Sequence, residues 1–552
     1  LYYLFLIILI VPNIVLCFTE PMPLVAKVCN VLLPFSIYHM IMSWSGNCGK
    51  TFWILFPFLF FGAFQIVLLY LFGQSVIAVD MFLNLVTTNP GEALELLDNL
   101  IPAIIIVVLL YIPALVLAAV AVSKKRRLSE MFVRRERKRA GITVIAGILS
   151  LVAAYLFDAR YELKSDLYPA NVCYNIALAF QRTAQTQHYA ETSKDFTFQA
   201  KTTRPEKNRE VYVMVIGETS RAANWSIYGY NRNTNPELTK IKGLTAFSHV
   251  LTESNTTHKS VPMLMSSVTA HDFNSIYRQK GIITAFKEAG YRTAFFSNQR
   301  YNHSFIDFFG KEADICDFIK EDTGDGGYNP SDDELLKLVA AELAENVSKQ
   351  FIVLHTYGSH FNYRERYPAD NAFFLPDFPV DAELKYKDNL INAYDNSIRY
   401  TDNFLARLIR MLQEQDIDAA MLYTSDHGED IFDDDRHLFL HASPVPSYYQ
   451  IHVPFLIWMS DNYRKNYPDL FKNAEINRQK NISSSASFFQ TMLELGGIDT
   501  PSRNDSLSVI NASYTEKNRV YLNDHNEARS LNDIGMREED FTMLQTKGIV
   551  YR

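Results

Sequence analysis

The sequence predicts a multi-pass α-helical membrane part of about five spanning helices, followed by an external α/β domain built on a mainly parallel sheet. Three observations carry this expectation. Long apolar runs are confined to residues 1–157, a dense basic cluster separates the last two of them, and beyond residue 210 short β-branched runs alternate with longer helical ones. The overall hydrophobic content of 48% therefore averages two different textures.

The apolar segments run from 1 to 18, 22 to 42, 52 to 72, 100 to 122 and 141 to 157. Most approach the ~20 residues that a helix needs to cross a bilayer. The first has no initiator Met and no basic stretch before it, which reads as a clipped start and not as a cleaved signal peptide. Lys124, Lys125, Arg126 and Arg127, followed by Arg134, Arg135, Arg137, Lys138 and Arg139, form a cluster that stays cytoplasmic. The loop from Gly73 to Asn99, which has no Lys or Arg, and everything after Phe157 then lie outside. Residues 1–157 are thus a transmembrane anchor. Residues 158–210 read as a connector whose amphipathic stretch from Tyr174 to Arg182 suits a membrane surface, and residues 211–552 as the external domain. Only Cys173 and Cys316 fall outside the anchor, so no dense disulfide framework exists and either one bridge or two free thiols remains open.

In the external domain strands are expected at Val211–Ile216, Thr245–Leu251, Thr293–Ser297, Phe351–His355, Ala419–Thr424 and Pro454–Met459. Helices are expected at Gly281–Ala289, Leu390–Gln413 and Ser484–Leu495. The net charge of −8 gives no basic face for a polyanion and excludes nucleic acid as a partner. Open sheets of this kind bind ligands beyond the carboxyl ends of their strands. Those ends carry Gly217 to Arg221, Glu253 to Pro262, His355 to His360 and Ser425 to Glu429. Glu218, Asp426 and His427 are oxygen and imidazole donors that separate strands deliver to one edge, which is how a catalytic zinc site is assembled. A hydroxyl in the fourth position becomes a nucleophile at neutral pH, and Thr256, Thr257 and Ser260 are the candidates.

The run from Val215 to Pro236, VIGETSRAANWSIYGYNRNTNP, resembles the signature of the phosphoethanolamine transferases, a branch of the alkaline phosphatase and sulfatase superfamily. Thr257-His-Lys-Ser-Val-Pro262 is similar to that family's threonine nucleophile segment, and Ser425-Asp-His-Gly-Glu429 to its metal-binding turn. Asn89-Pro-Gly-Glu-Ala93 and the five-segment anchor fit as well. The resemblance implies an alkaline phosphatase/sulfatase-like fold and Glu218, Thr257, Asp426 and His427 as ligands of one tightly bound Zn2+. It leaves room for a second zinc that binds with substrate. His360 matches a family histidine that contacts the phosphoryl group or a second metal, His441 matches another family histidine, His437 lies close enough to compete with His441, Thr256 falls beside the nucleophile, and Asn298 sits where the family has a polar substrate contact. Many relatives flank the nucleophile with cysteines, whereas Met263 follows Pro262 here and no cysteine is near.

The resemblance further implies a bacterial inner-membrane enzyme with its catalytic domain in the periplasm. Such an enzyme takes phosphoethanolamine from phosphatidylethanolamine onto Thr257 and passes it to lipid A, a lipopolysaccharide core sugar or another envelope glycan. The added ammonium group would lower surface negative charge and weaken cationic peptides such as polymyxin. The alternatives are a phosphoglycerol transferase of the lipoteichoic acid synthase type, or a catalytically silent membrane-tethered adaptor of the same fold. A sulfatase needs a Cys or Ser in a Cys/Ser-x-Pro-x-Arg context, which is absent around Thr257.

Overall fold

The computed structural model describes residues 1–20, 22–72, 76–82, 100–158, 161–205, 209–320 and 329–551. They form two compact units, Leu1–Thr183 with Arg436–Leu438, and Ala184–Asp435 with Phe439–Arg552. The division at residue 183 falls inside the 158–210 segment read as a connector. Most of the 73–99 loop, including Asn89–Ala93, lies outside the described residues.

The first unit contains α1 (Tyr2–Thr19), α2 (Leu24–Ser43), α3 (Cys48–Ile54), α4 (Phe56–Phe72), α5 (Ile101–Ser123) and α6 (Glu130–Phe157). Among the described residues four helices are long and apolar enough to cross a membrane, or five if the bent pair α3 and α4 is one span. The expected third segment is thus two helices meeting at 60°. Pro57 lies one residue inside α4 and has no N–H to continue the α3 ladder, which places the break at Leu55. The fifth segment is longer than its apolar run, since α6 begins at Glu130 and takes in Arg134, Arg135, Arg137, Lys138 and Arg139. Ser129 starts it by accepting the Phe132 N–H, and the basic residues that follow are good helix formers. Where α6 passes α2, a Cβ on Gly147 would lie 2.8 Å from Ser36 Oγ and 3.2 Å from the Leu33 Cα, so a larger residue would have to displace them. The amphipathic stretch is the helix α7 (Ala170–Gln187), on which Phe180 is 74% exposed. Cys173 and Cys316 are both free.

The second unit is built on a seven-stranded sheet. Its strands are β1 (Glu210–Gly217), β2 (Leu244–Phe247), β3 (Arg292–Ser297), β4 (Ile315–Phe318), β5 (Lys349–His355), β6 (Asp418–Ser425) and β7 (Phe455–Met459), in the order β2-β7-β6-β1-β5-β3-β4. All neighbouring pairs are parallel except the two made by β7. β1 and β6 are buried along their whole length, as a sheet covered on both faces requires. Two sequence expectations change. The strand foreseen at Thr245–Leu251 ends at Phe247, and Val250–Leu251 pairs instead with Ile482–Ser483 in a separate two-stranded sheet. The edge strand β4 has a half-exposed pattern that hid it from the apolar signal. The helices α8 (Thr257–Met265) and α9 (Lys387–Gln413) reach the carboxyl edge of the central strands through Ser260, which donates to the Asp426 carbonyl, and Tyr394, which donates to the Thr219 carbonyl.

Phe351 in β5 is fully buried and stacks on Phe286 with ring centroids 3.8 Å apart. Phe351→Ala should therefore cost about 3–5 kcal/mol. A thermal melt of the purified protein should show its midpoint several degrees lower.

Candidate functional site

The register of the central strands assembles the site. Gly217 at the end of β1 is paired with Ser425 at the end of β6, so the next residues, Glu218 and Asp426, leave adjacent parallel strands side by side. Ile216 of β1 and Ser297 of β3 are both paired with His355 of β5, which brings the 298–299 and 356–360 turns to the same edge. The Asp426 N–H donates to the Gly217 carbonyl (3.0 Å), and Asp426 Oδ1 accepts the backbone N–H groups of Thr219 (3.0 Å) and His427 (2.7 Å). That leaves Oδ2 buried with no hydrogen-bond partner, 3.2 Å from His427 Nε2.

Glu218 is 1% exposed and lies with Oε1 3.5 Å from the same nitrogen. His427 Nδ1–H donates to the Gly428 carbonyl (2.9 Å), which turns the Nε2 lone pair toward the carboxylates. Thr257 is the first residue of α8, and its Oγ lies 3.2 Å from Glu218 Oε1 and 3.1 Å from His427 Nε2. The two other hydroxyl candidates do not reach this point. Ser260 Oγ donates to the Asp426 carbonyl (2.6 Å) and ties α8 to β6, while Thr256 is the N-cap residue with its hydroxyl against Ser254 (3.1 Å).

Glu218, Asp426 and His427 each offer a ligand atom, all within 4.8 Å of one another, and all three are buried. Burial, then repulsion from Asp426, pushes the Glu218 carboxyl up to about 7. Burial pushes Asp426 up to about 6, and His427 is held down to about 3, again by burial. Two buried carboxylates, a neutral imidazole and a hydroxyl, with one carboxylate oxygen left orphaned, form the donor set of a divalent metal such as zinc and are costly without a cation.

Further side chains hold this cluster. Gln299 Nε2 donates to Glu218 Oε2 (2.8 Å) and to the Thr356 carbonyl (3.2 Å). Asn298, the residue singled out in the sequence, instead donates to Asp332 Oδ1 (2.8 Å) and the Pro330 carbonyl (2.9 Å). Asp332 in turn accepts the N–H groups of Tyr357 and Gly358, so Asn298 braces the 356–360 turn. Gly358 has φ +51°, and a Cβ there would meet the Glu218 carbonyl at 2.6 Å. Successive side chains at a strand end point to opposite sides, which explains why Gln299 and not Asn298 reaches Glu218.

The histidines differ sharply. The His441 ring lies 4.2 Å from that of His427, and its Nδ1–H donates to Glu429 Oε2 (2.7 Å). Burial lowers the His441 pKa, but the Glu429 hydrogen bond and charge outweigh it, and the net shift is upward. His360 lies 6.0 Å from His441, its Nδ1–H donating to the Phe361 carbonyl (2.6 Å), and burial followed by the nearby His441 and Arg366 charges holds it well below the usual imidazole range. His437 is exposed. Glu429, which also bonds Tyr363, and Gln299 are the residues the sequence reading left without a role, although Glu429 closes the Ser425–Glu429 turn.

Residues 210–498 match the family model described as Sulfatase, and residues 47–184 the one described as Phosphoethanolamine transferase EptA/EptB. The chain is 30% identical over 296 residues to the Kdo(2)-lipid A phosphoethanolamine 7''-transferase of Escherichia coli (strain K12), a match covering 52% of this chain and 51% of that protein. Its matches span 51% to 61% of the length of the first three curated relatives. Among solved structures it resembles the integral membrane protein lipooligosaccharide phosphoethanolamine transferase A (EptA) from Neisseria meningitidis, with TM-score 0.72, 20% identity, and coverage of 92% of this chain and 98% of that one. It also resembles the C-terminal periplasmic domain of EptC from Escherichia coli in complex with Zn, with TM-score 0.56, 23% identity, and coverage of 60% and 95%. At these identities both are likenesses of fold.

The geometry sets two expected outcomes. Gln299→Leu should weaken zinc binding by about 10- to 100-fold, as removal of an outer hydrogen bond to a metal ligand does. Zinc affinity of the wild type should fall as pH drops through about 7 and then about 6, because protons then compete for Glu218 and Asp426. Competition titration against a fluorescent zinc chelator between pH 5.5 and 8 measures both.

Proposed function

The chain belongs to the sulfatase family, and on that footing we propose that it is a phosphoethanolamine transferase acting from the periplasmic face of a bacterial inner membrane. The donor is phosphatidylethanolamine, and the acceptor is lipid A or another lipopolysaccharide phosphate or sugar. The observation that carries this reading is Thr257 Oγ at 3.1–3.2 Å from His427 Nε2 and Glu218 Oε1, at the N-terminus of α8. A threonine stands where a sulfatase would need a modified cysteine or serine. The N-terminal match over residues 47–184 supports ethanolamine over glycerol as the alcohol of the transferred group.

Glu218, Asp426, His427 and the Thr257 hydroxyl would hold Zn2+, which supplies a lowered hydroxyl pKa and positive charge opposite the phosphoryl group. The remaining chemistry belongs to the chain. Thr257 Oγ, having lost its proton to solvent at that lowered pKa, attacks phosphorus, the phosphorus–oxygen bond to diacylglycerol breaks, and the threonine carries phosphoethanolamine. The departing alkoxide needs a proton, and His441, whose affinity for a proton is raised by the Glu429 hydrogen bond and charge, is the group suited to give it. His360 is neutral with Nδ1–H committed to Phe361, so its Nε2 is free to accept the acceptor's proton in the second displacement. The N-terminal end of α8 adds partial positive charge beside the nucleophile. A spanning anchor on the same chain keeps the site at the surface where both lipids reside.

Intact-protein mass spectrometry after incubation with phosphatidylethanolamine tests the reading. Wild type should gain the mass of one phosphoethanolamine group, Thr257→Ala should gain none, and transfer by that variant should fall by more than about a thousandfold. No adduct on the zinc-loaded wild type would overturn the donor assignment. His441→Gln should retain the adduct once formed but slow its formation by on the order of 10²- to 10⁴-fold.

A further inference from the structure

The second unit buries its large apolar side chains except in one stretch. Among its described residues six are exposed, and four of them, Phe373 (58%), Leu375 (67%), Phe378 (70%) and Leu384 (47%), fall between residues 373 and 384. The other two, Ile476 and Val550, stand singly. Scattered apolar residues are ordinary on a protein surface, whereas a local cluster marks an interaction site.

The cluster sits at the catalytic edge of the sheet and is braced to it. Asn396 in α9 accepts the Phe373 N–H (2.9 Å) and the Phe374 N–H (2.8 Å), and donates to the Phe374 carbonyl (3.0 Å). Two residues earlier on the same helix, Tyr394 donates to the Thr219 carbonyl (2.7 Å) and accepts the Arg221 N–H (2.9 Å), beside Glu218. One residue after Asn396, Ser397 donates to Ser359 in the turn that carries His360 (2.9 Å). The base of the loop is held rigidly, because the Arg399 guanidinium lies 4.1 Å over the Phe373 ring and that of Arg232 lies 3.9 Å over Phe374. Pro376 and Pro379 stiffen the chain between the outward-pointing Leu375 and Phe378.

We propose that residues 373–384 are a membrane-docking loop, which sets Leu375 and Phe378 into the headgroup region of the bilayer and so brings the Thr257 edge to its lipid substrates. The reason for docking at this edge rests on the transferase reading; the lipid contact itself does not. Four side chains present far less than the ~800 Å² per partner of a stable protein interface, but a few apolar tips suffice for interfacial insertion when the chain is already anchored. Every copy carries its own spanning helices, so a bilayer is always at hand. Asp370 and Asp381 are exposed nearby and Glu383 pairs with Lys385 (2.7 Å), which leaves the loop acidic. The apolar tips and not basic charge therefore draw it to the surface, and headgroups bearing ammonium suit it best.

The test uses the full chain reconstituted in vesicles of phosphatidylethanolamine and phosphatidylglycerol, with photoreactive benzoylphenylalanine placed at Phe378 or, as the control, at Ile476. Irradiation should give lipid adducts at position 378 at least about tenfold above those at 476. Adducts to protein alone, equal yields at the two positions, or no adduct at 378 would each overturn the proposal. A second readout comes from the double variant Leu375→Ser and Phe378→Ser, whose KM for the lipid donor should rise by about tenfold with kcat changed less than twofold. An unchanged KM would sink the functional role of the loop. Lipid adducts at 378 without any phosphoethanolamine on Thr257 would instead remove the transferase reading and leave the docking loop standing.

Discussion

Two carboxylates buried side by side at the ends of adjacent parallel strands are the constraint on which the rest of the catalytic unit depends. Glu218 and Asp426 follow the paired residues Gly217 and Ser425, and both are at most 1% exposed. Like charges in such a place repel strongly, and the fold answers by holding each oxygen in a separate role. Asp426 spends Oδ1 on two backbone N–H groups and keeps Oδ2 bare, while Glu218 accepts from Thr219, Thr257 and Gln299. A proton on one carboxyl or a cation among these groups relieves that repulsion, so the geometry of the site suits a metal ion.

Outward from that pair, each supporting element exists to keep an atom in place. Gly358 lets the 356–360 turn lie against the Glu218 backbone, where the Ser359 N–H donates to its carbonyl (3.0 Å). Ser260 fastens α8 to Asp426, and Tyr394 fastens α9 to the Thr219 turn. Glu429 sets two histidines apart, its hydrogen bond and charge shifting His441 upward while burial holds His360 well below the usual imidazole range. Two imidazoles in opposed environments thus lie within one small site. The same helix that braces this centre also braces the apolar loop at 373–384.

Six of the seven strands and the helices at Lys387–Gln413 and Ser484–Leu495 are legible in the sequence, because buried parallel strands read as continuous apolar runs and α9 repeats its apolar residues at helical spacing. The half-exposed edge strand Ile315–Phe318 gives no such signal. The bend at Leu55 depends on Pro57 within an otherwise unbroken apolar run, and the early start of α6 depends on the Ser129 cap, so hydropathy alone misses both. Polar residues at the ends of expected strands identified Glu218, Asp426 and His427, and the geometry brings these three to one point.

By itself the sequence determined what is local and periodic: a membrane part before an α/β part, the strands that end in metal-ligand chemistry, and a hydroxyl-bearing segment between Glu253 and Pro262. Residue pattern alone left three hydroxyls open and resemblance pointed to Thr257 and His441; tertiary structure places the Thr257 hydroxyl and the His441 ring beside His427 and shows that Gln299 is the amide that reaches Glu218. Each of these turns on where a side chain points after a strand or cap ends. A one-residue step moves the contact from Asn298 to Gln299, and the positive φ values at Leu440 (67°) and Ala442 (61°) shape the turn that presents His441. Such directions are set by packing and hydrogen bonds between segments distant in the chain, and no local pattern of residue types encodes them.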